Sequence, residues 1–313
     1  MSRWLALGIE AQSLTAMKIL ILGGSGMLGH KLWQTLAPRF ETHVTLRGRA
    51  ADFGRLGGVF DQSQAVGGLD AESIQGFAKL VQDLRPDVVV NCIGVVKQDP
   101  AAHNPVATIG INALFPHRMA AICKAARARF IHLSTDCVFS GSKGSYTEDD
   151  LPDATDLYGR SKLLGEVSGT DNLTIRTSMI GRELRGTHGL LEWFLSQEGG
   201  RVRGFKRAVF SGFTTGALSE VLARIIAEHP GLNGVWHVAS DPINKFDLLS
   251  LIKESYGISL EIGFDESFVC DRSLNGSRFR LETGIQAPSW PAMIADLRRD
   301  PTPYEDIRRM NDS

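Results

Sequence analysis

The sequence predicts an α/β fold: a doubly wound parallel sheet followed by a smaller, mixed C-terminal lobe. Three observations carry this expectation. Apolar runs of strand length alternate with stretches of helical period through the first half of the chain. The first run ends directly in glycines that open a helix. The runs are nearly continuous in apolar residues, which suits strands covered on both faces.

Residues 17–22, MKILIL, form the first strand. Leu28, Leu32 and Leu36 then set one face of a helix. Residues 42–46 give a second short strand. Ile74, Phe77, Val81 and Leu84 keep helical spacing until Arg85-Pro86-Asp87 breaks it, and Val88-Val89-Val90 begins another strand. An alanine-rich helix is expected at 113–126, a strand at 130–133, a helix at 157–167 and a strand at 173–178. Past Gly181 the alternation loosens. Residues 199–204 read as turn-rich and basic, 217–227 as a helix, 235–239 as a strand, and 246–256 as a helix capped by Asn244. Ser289-Trp290-Pro291 starts a late helix, with proline where its missing N–H costs little. The expected division is an N-terminal extension (1–16), a first domain (17–181, with a return segment at about 209–240), and a substrate lobe (182–208 and 241–313).

Composition narrows the function classes. The chain has 313 residues, 43% hydrophobic and 22% charged, an ordinary globular balance rather than a disordered one. Lys plus Arg number 34 and Asp plus Glu 35, so no net field draws the chain to nucleic acid or to an anionic membrane. No apolar run is read as reaching the ~20 residues of a membrane span. Cys92, Cys123, Cys137 and Cys270 lie far apart with no CxxC pair, and the histidines show no ligand spacing. The expectation is a cytoplasmic protein with no metal, no nucleic-acid partner and no membrane partner.

The glycines after the first strand are spaced GxxGxxG, at Gly23, Gly26 and Gly29, with Ser25, Met27 and Leu28 completing the turn and the start of the helix. The first glycine permits a tight exit from the strand, the second lets backbone approach a pyrophosphate, and the third lets helix and sheet pack closely. The helix N-terminus offers free N–H groups to the phosphates. This strand–turn–helix context points to a dinucleotide in an NAD(P)-binding Rossmann fold. The second strand ends in Leu46-Arg47-Gly48-Arg49 and carries no acid at its tip. Two guanidiniums suit a 2′-phosphate, so NADPH is expected over NADH, with Arg47 favoured over Arg49. Asp70 is read either as an acceptor for the adenine amino group or as a cap of the next helix. Cys92, Ile93 and Gly94, after the strand at 88–90, complete the expected cofactor site.

Tyr158-Gly159-Arg160-Ser161-Lys162 is YxxxK, which places the phenol and the ammonium one helical turn apart. A nearby ammonium stabilises phenolate, so Lys162 is expected to bring the Tyr158 pKa toward neutrality and also to hold the nicotinamide ribose. The preceding strand ends in Ser134-Thr135. The Thr135 hydroxyl is the favoured partner for a reacting carbonyl oxygen, with Ser134 less so. The bland alternative for Thr135 is a backbone-bonded strand end.

In this order, GxxGxxG, the strand-end Thr and YxxxK resemble the extended short-chain dehydrogenase/reductases. The strings around His132–Gly141, Leu157–Glu166 and Ile175–Ser178 resemble the STDYVFxG, VYGxTKLxGE and RTSW segments of the dTDP-4-dehydrorhamnose reductases. The resemblance implies a Thr135, Tyr158, Lys162 triad and NADPH-dependent reduction of the C4 ketone of a nucleotide-linked 4-keto-6-deoxysugar, in deoxysugar or polysaccharide synthesis. Cys137 stands where those reductases have Tyr, and Met179 where they have Trp. The sugar is therefore left open between dTDP- and UDP-linked partners. Asp136 is followed by Cys137 and not by the Glu of the related dehydratases, which argues against water elimination. Val96 and Lys97, with Asp136, Cys137 and Met179, are expected beside the sugar. Asn112 is read as a helix support, a relay near Lys162, or an ordinary backbone-bonded residue. Arg201, Arg203, Lys206 and Arg207 form a basic cluster for a diphosphate or a solvated face, with Arg207 the one carried forward. Arg272, Asn275 and Arg278 resemble a substrate segment of the same reductases, with loop closure as the alternative. A C4 epimerase with tightly held NAD, and a non-catalytic NADP-binding regulatory subunit, stay open as other readings. So does the oligomeric state, a homodimer among the options.

Overall fold

The computed structural model describes residues 17–48, 56, 58–97 and 104–312. The expected extension at 1–16 and Arg49 lie outside those residues. The central sheet has seven strands: β1 (Lys18–Leu22), β2 (Glu41–Thr45), β3 (Ala65–Val66), β4 (Val88–Asn91), β5 (Arg129–Leu133), β6 (Asn172–Arg176) and β7 (Gly234–His237). All its pairings are parallel, and the order is β3-β2-β1-β4-β5-β6-β7. The order reverses between β1 and β4, so a ligand crevice is set at the carboxyl ends of those strands.

The helices on the sheet are α1 (Met27–Leu36), α2 (Ile74–Leu84), α3 (Pro105–Ala126), α4 (Leu157–Leu164) and α5 (Thr215–Glu228). Alternation along each strand feeds two cores. Ile19, Ile21, Val88, Val90 and Ile131 pack with Leu32 and Leu36 of α1 and with Leu218 and Leu222 of α5. Leu20, Leu22, Val89 and Phe130 pack on the opposite side with Phe77 of α2 and with Phe115 and Met119 of α3. Both faces are covered, which is why the strands read as unbroken apolar runs.

The smaller lobe is built from short pairings. Ala208–Phe210 lies parallel to Cys270–Asp271 and antiparallel to Ile243–Asn244, and Arg201–Phe205 lies parallel to Glu261–Asp265. Residues 199–204, expected as a turn-rich segment, therefore hold most of a strand. Val202 and Gly204 turn inward while Arg201 and Arg203 stay exposed, a period of two hidden by its charges.

Two helices differ from expectation. The helix expected at 157–167 stops at Leu164, and the Gly165 cap packs so closely on the Asn112 carbonyl that a Cβ there would lie 1.9 Å from it. The helix expected at 113–126 starts eight residues earlier, capped by Asn104, whose side chain accepts from the amides of Val106 (3.0 Å) and Ala107 (3.3 Å). It includes a wide π turn at Gly110–Leu114. Pro105–Ala126 spans 22 residues and holds an 18-residue window of mean hydropathy 1.2, long and apolar enough to cross a membrane by length and composition, though Asn112, His117, Arg118 and Lys124 interrupt its apolar residues. Its second half lays Phe115, Met119 and Cys123 on the sheet.

Glycine contacts give a test of opposite signs. A Cβ on Gly24 would lie 2.1 Å from Val44 Cγ2, whereas one on Gly216, in the first turn of α5, meets nothing within 4 Å. Gly24→Ala should lower stability by about 1–3 kcal/mol, and Gly216→Ala should raise it by up to about 1 kcal/mol. Urea unfolding of the two variants measures both.

Candidate active site

The glycine turn is set by strand packing. Gly23 leaves β1 at φ 85°, a region that favours glycine, and its amide donates to Thr45 Oγ1 at 3.0 Å. A Cβ on Gly29 would lie 2.1 Å from the Gly23 carbonyl, so α1 sits on the turn only because that side chain is absent. Gly24 is as constrained as the spaced glycines and was hidden by the motif spacing, because its neighbour is a side chain of β2. Gly26 is exposed and caps α1, with no side-chain cap bond and no acid in the first turn. The helix N-terminus is left as a backbone donor cluster. Ser25 and Met27 line this turn half-buried, while Leu28 points into the core. Arg47 stands exposed beyond β2. Asp70 is also exposed and closes a turn by accepting from the Glu72 amide at 3.0 Å, so the expected helix-cap position falls to Ser73.

The loop after β4 is held from below. Asn91 accepts from the Ile93 amide at 3.0 Å and meets His132 Nδ1 at 3.1 Å. Asn112, in the π turn, accepts from the Val95 amide and donates to the Val95 carbonyl, both at 2.9 Å, and reaches Ser161 Oγ at 3.2 Å. Backbone bonding is thus what Asn112 does. It fastens the 92–95 loop to α4. A Cβ on Gly94 would lie 3.9 Å from Lys162 Nζ, which brings that loop against the ammonium. Burial pushes the Cys92 thiol up to about 12. Val96 is exposed, and Lys97 pairs with Asp156 at 3.2 Å. Asp156 caps α4 through the Gly159 amide at 2.9 Å. Lys97 therefore ties loop to helix while its side chain stays largely exposed.

Helix α4 presses on the turn after β5, where a Cβ on Gly159 would lie 2.3 Å from the Cys137 carbonyl. That contact seats Tyr158 and Lys162 over the Thr135–Cys137 segment. Lys162 Nζ donates to the Leu133 carbonyl at 2.6 Å, and burial lowers its pKa to about 8. Thr135 is buried. Its hydroxyl donates to Asp136 Oδ1 at 3.2 Å and accepts from the Cys137 amide at 3.1 Å. Burial raises the Tyr158 hydroxyl well above its ordinary value, the Cys137 thiol adds to this, and hydrogen bonding with Thr135 opposes it. The expectation that Lys162 brings this phenol toward neutrality is overturned: the ammonium is turned to the Leu133 carbonyl, and desolvation dominates. The phenol is thereby held protonated, a weaker acid than a free tyrosine that can give its proton only to a strong base such as an alkoxide.

Charged groups from the smaller lobe close the other side. Arg272 Nε donates to the Phe139 carbonyl at 2.9 Å, and its charge acts on Asp136 and Cys137. Lys245 stacks on Phe210 at 3.9 Å, and burial lowers it to about 8 against the pull of Asp136. Burial raises Asp136, while Cys137, Arg272 and Lys245 restrain it. Burial also takes Cys137 to about 12. Met179 is half-buried in a short pairing with Phe213. Five other sequence candidates have structural work instead. Asn275 accepts from the Ser277 amide at 2.9 Å, which is loop closure. Arg278 stacks on Trp236 of the outer strand β7 at 4.0 Å and is not gathered with Arg272. In the basic cluster, Arg201 pairs with Glu261, Arg203 with Asp265 and Lys206 with Asp247. Arg207 is exposed, and its carbonyl accepts from the Cys270 amide at 3.0 Å.

Three features were given no role by the sequence, although Glu166 and Arg176 stand in the strings that carry the resemblance. Lys245 is one, since nothing in its spacing marks it. The others are Glu166 and Arg176, which form a bidentate pair with both contacts at 2.8 Å and side chains 8% and 7% exposed. Ser134 donates to the same Glu166 at 2.7 Å, which takes it out of contention for a substrate oxygen. Removing one partner strands the other charge in the interior. Arg176→Ala should therefore cost about 3–5 kcal/mol in urea unfolding. Arg39→Ala, which breaks the exposed bond to Glu220, should cost about 0–1 kcal/mol.

The family described as RmlD substrate binding domain matches residues 17–261. A dTDP-4-dehydrorhamnose reductase of Burkholderia thailandensis is 35% identical over 169 residues, 52% of this chain and 50% of that protein. Methionine adenosyltransferase 2 subunit beta of Rattus norvegicus is 30% identical over 163 residues, 52% of this chain and 46% of that protein. The chain spans about half the length of these curated relatives. A crystal structure of dTDP-4-dehydrorhamnose reductase from Bacillus anthracis in complex with NADP is similar with a TM-score of 0.74 at 20% identity, covering 90% of this chain and 98% of that one. At that identity the likeness is one of fold.

Proposed function

The chain belongs to the RmlD substrate-binding-domain family, and from that membership we propose that it is an NADPH-dependent reductase of the C4 ketone of a nucleotide-linked 4-keto-6-deoxysugar. The observation that carries the reading is the seating of Tyr158 and Lys162 at the end of β5. The phenol stands beside Thr135, which acts on its ionisation, and the ammonium is fixed on the Leu133 carbonyl at 2.6 Å. A relative named dTDP-4-dehydrorhamnose reductase supports the substrate class.

The glycine turn fits a dinucleotide. Gly26 is exposed at an α1 N-terminus with no side-chain cap, and Gly23 takes the positive φ that the turn requires. The backbone of Gly23–Gly29 holds the pyrophosphate, Arg47 the 2′-phosphate, residues 92–94 the adjoining wall and Lys162 the ribose. NADPH supplies a hydride to the sugar carbon. Tyr158 gives its hydroxyl proton to the carbonyl oxygen, and Thr135 bonds that oxygen as charge builds on it. Asp136, Cys137, Arg272 and Met179 border the sugar.

Two measurements test the reading. A 4-keto nucleotide sugar should consume NADPH stoichiometrically, and Tyr158→Phe should keep NADPH binding while losing about 10²–10⁴-fold in turnover. Turnover without net NADPH loss would indicate an epimerase. Tight NADPH binding with no consumption would indicate a binding subunit, the reading favoured by the relative named methionine adenosyltransferase 2 subunit beta. The second measurement is the pH profile. Lys162 carries its charge below about 8 and loses it above. Because kcat/KM reports the free enzyme, kcat/KM for NADPH should fall as pH rises through about 8. A flat profile up to pH 10 would remove Lys162 from cofactor binding.

A further inference from the structure

Three cations of the basic cluster that the sequence offers to a diphosphate are already engaged: Arg201 with Glu261, Arg203 with Asp265 and Lys206 with Asp247. Lys245 and Arg272 are not, and they reach the active site from opposite edges of one small sheet. Its middle strand is Ala208–Phe210, where Asn244 lies beside Val209 on one edge and Asp271 beside Val209 on the other. Lys245 and Arg272 are the next residues along those two edges. The Arg272 amide donates to the Val209 carbonyl at 2.9 Å, which brings Arg272 level with Phe210, and the Phe210 ring carries the Lys245 ammonium at 3.9 Å. This face presses on the segment that follows Thr135. A Cβ on Gly141 would lie 2.6 Å from Cys270 Sγ and 3.1 Å from Arg272 Cγ, and Arg272 Nε donates to the Phe139 carbonyl at 2.9 Å.

We propose that Lys245 is a substrate-binding residue which, together with Arg272, receives an oxyanion of the substrate beside the Asp136–Cys137 turn, and this rests on the nucleotide-sugar reading above. The donors are open. Among the described residues the Lys245 ammonium has no hydrogen-bond acceptor and no ion pair, and Arg272 uses only its Nε. Both side chains are half-buried, where a cation without an anionic partner is unfavourable and an aromatic face offsets that only in part.

The charges around the pair do not balance. Asp136 acts on both cations, but burial works against its ionisation. The Cys137 thiol, pushed up to about 12, stays neutral. Asp156 also acts on Arg272, yet it is committed to the Gly159 amide at 2.9 Å and to Lys97 at 3.2 Å. Asp153 is held by the Ser140 amide at 2.7 Å and the Ser140 hydroxyl at 2.6 Å. Burial brings Lys245 down only to about 8, so at neutral pH its charge is present. Two cations thus meet one opposed carboxylate. The excess suits an oxyanion, to which Arg272 offers planar N–H donors and Lys245 a point charge. Two parts of a nucleotide sugar could supply it: the phosphate joined to the sugar, or a carboxylate on the sugar itself.

Calorimetry on the full chain loaded with NADPH tests this, with UDP and dTDP as diphosphate probes and UDP-glucuronate as the carboxylate probe. Lys245→Met keeps an apolar stem over Phe210 and removes the charge. It should raise the Kd of the bound probe about 10- to 100-fold, with the NADPH Kd unchanged, and Lys245→Arg should recover part of the loss. Equal losses for a diphosphate and for UDP-glucuronate assign the phosphate; a loss confined to UDP-glucuronate assigns the carboxylate. Arg203→Met is the control for a diffuse positive field, because Arg203 is exposed and paired with Asp265. A second measurement needs no loss of charge: in the wild type, saturation with the tightest probe should raise the pKa of the Lys245 ammonium, followed by NMR and assigned with Lys245→Arg. The proposal is overturned if Lys245→Met binds every probe as the wild type does, if Arg203→Met weakens them equally, or if the Lys245 titration does not move. Failure of the wild type to bind any of the three probes would overturn the proposed function and this inference together, whereas normal wild-type binding with an indifferent Lys245→Met overturns this inference alone.

Discussion

The buried pair of Glu166 and Arg176 is the constraint on which the rest of the site depends. It joins the second residue past α4 to the last residue of β6, and it recruits Ser134 at the end of β5. Three segments that meet nowhere in sequence are thereby fixed at one height along the sheet. Arg176 goes further: it contacts His237 Nε2 at 3.2 Å and lies over Phe139 at 5.3 Å, and Phe139 stacks on Tyr146 at 4.1 Å. An ion pair in the interior is costly to desolvate, and its two parallel contacts offset that cost by fixing orientation. What is oriented here is the helix carrying Tyr158 and Lys162.

Desolvation, more than any single charge, sets the electrostatic character of the site. It raises Tyr158, Cys137 and Asp136 and lowers Lys162 and Lys245, so each group is biased toward its neutral form. The cations Arg272 and Lys245 restrain Asp136, which sits next to Thr135. Such an enclosure strengthens hydrogen bonds formed inside it. The glycines at 159 and 165 make the enclosure possible by letting α4 approach backbone on two sides.

Much of this was legible in the chain. The parallel, doubly wound sheet follows from unbroken apolar runs joined through helices, and the glycine spacing located the turn beside β1. Tyr158, Lys162 and Thr135 fall together because period and strand end place them there. Other features were hidden for physical reasons. Charges at Arg201 and Arg203 masked a strand whose inward residues are Val202 and Gly204. Arg278 resembles a substrate residue in its string, yet the ring face of the buried Trp236 captured it. The shift of Tyr158 could not be read from a lysine four residues away, because where an ammonium points is decided by a carbonyl from another strand. Lys245 and the His30–Tyr304 contact join residues over a hundred positions apart, beyond the reach of any local pattern.

The wide turn inside α3 has one more consequence. An α-helix advances about 100° per residue, so the additional residue in a π turn rotates everything after it by about that angle. Before the turn, Val106 and Ile109 face outward and Thr108 is buried; after it, Phe115, Met119 and Cys123 rest on the sheet. A straight, regular rod would keep one stripe inward along its whole length. Because the phase slips at Gly110–Leu114, a single continuous rod addresses two neighbours in succession, with Asn112 at the join aimed at the loop beside Lys162. The register error is thus a hinge of direction frozen into the backbone.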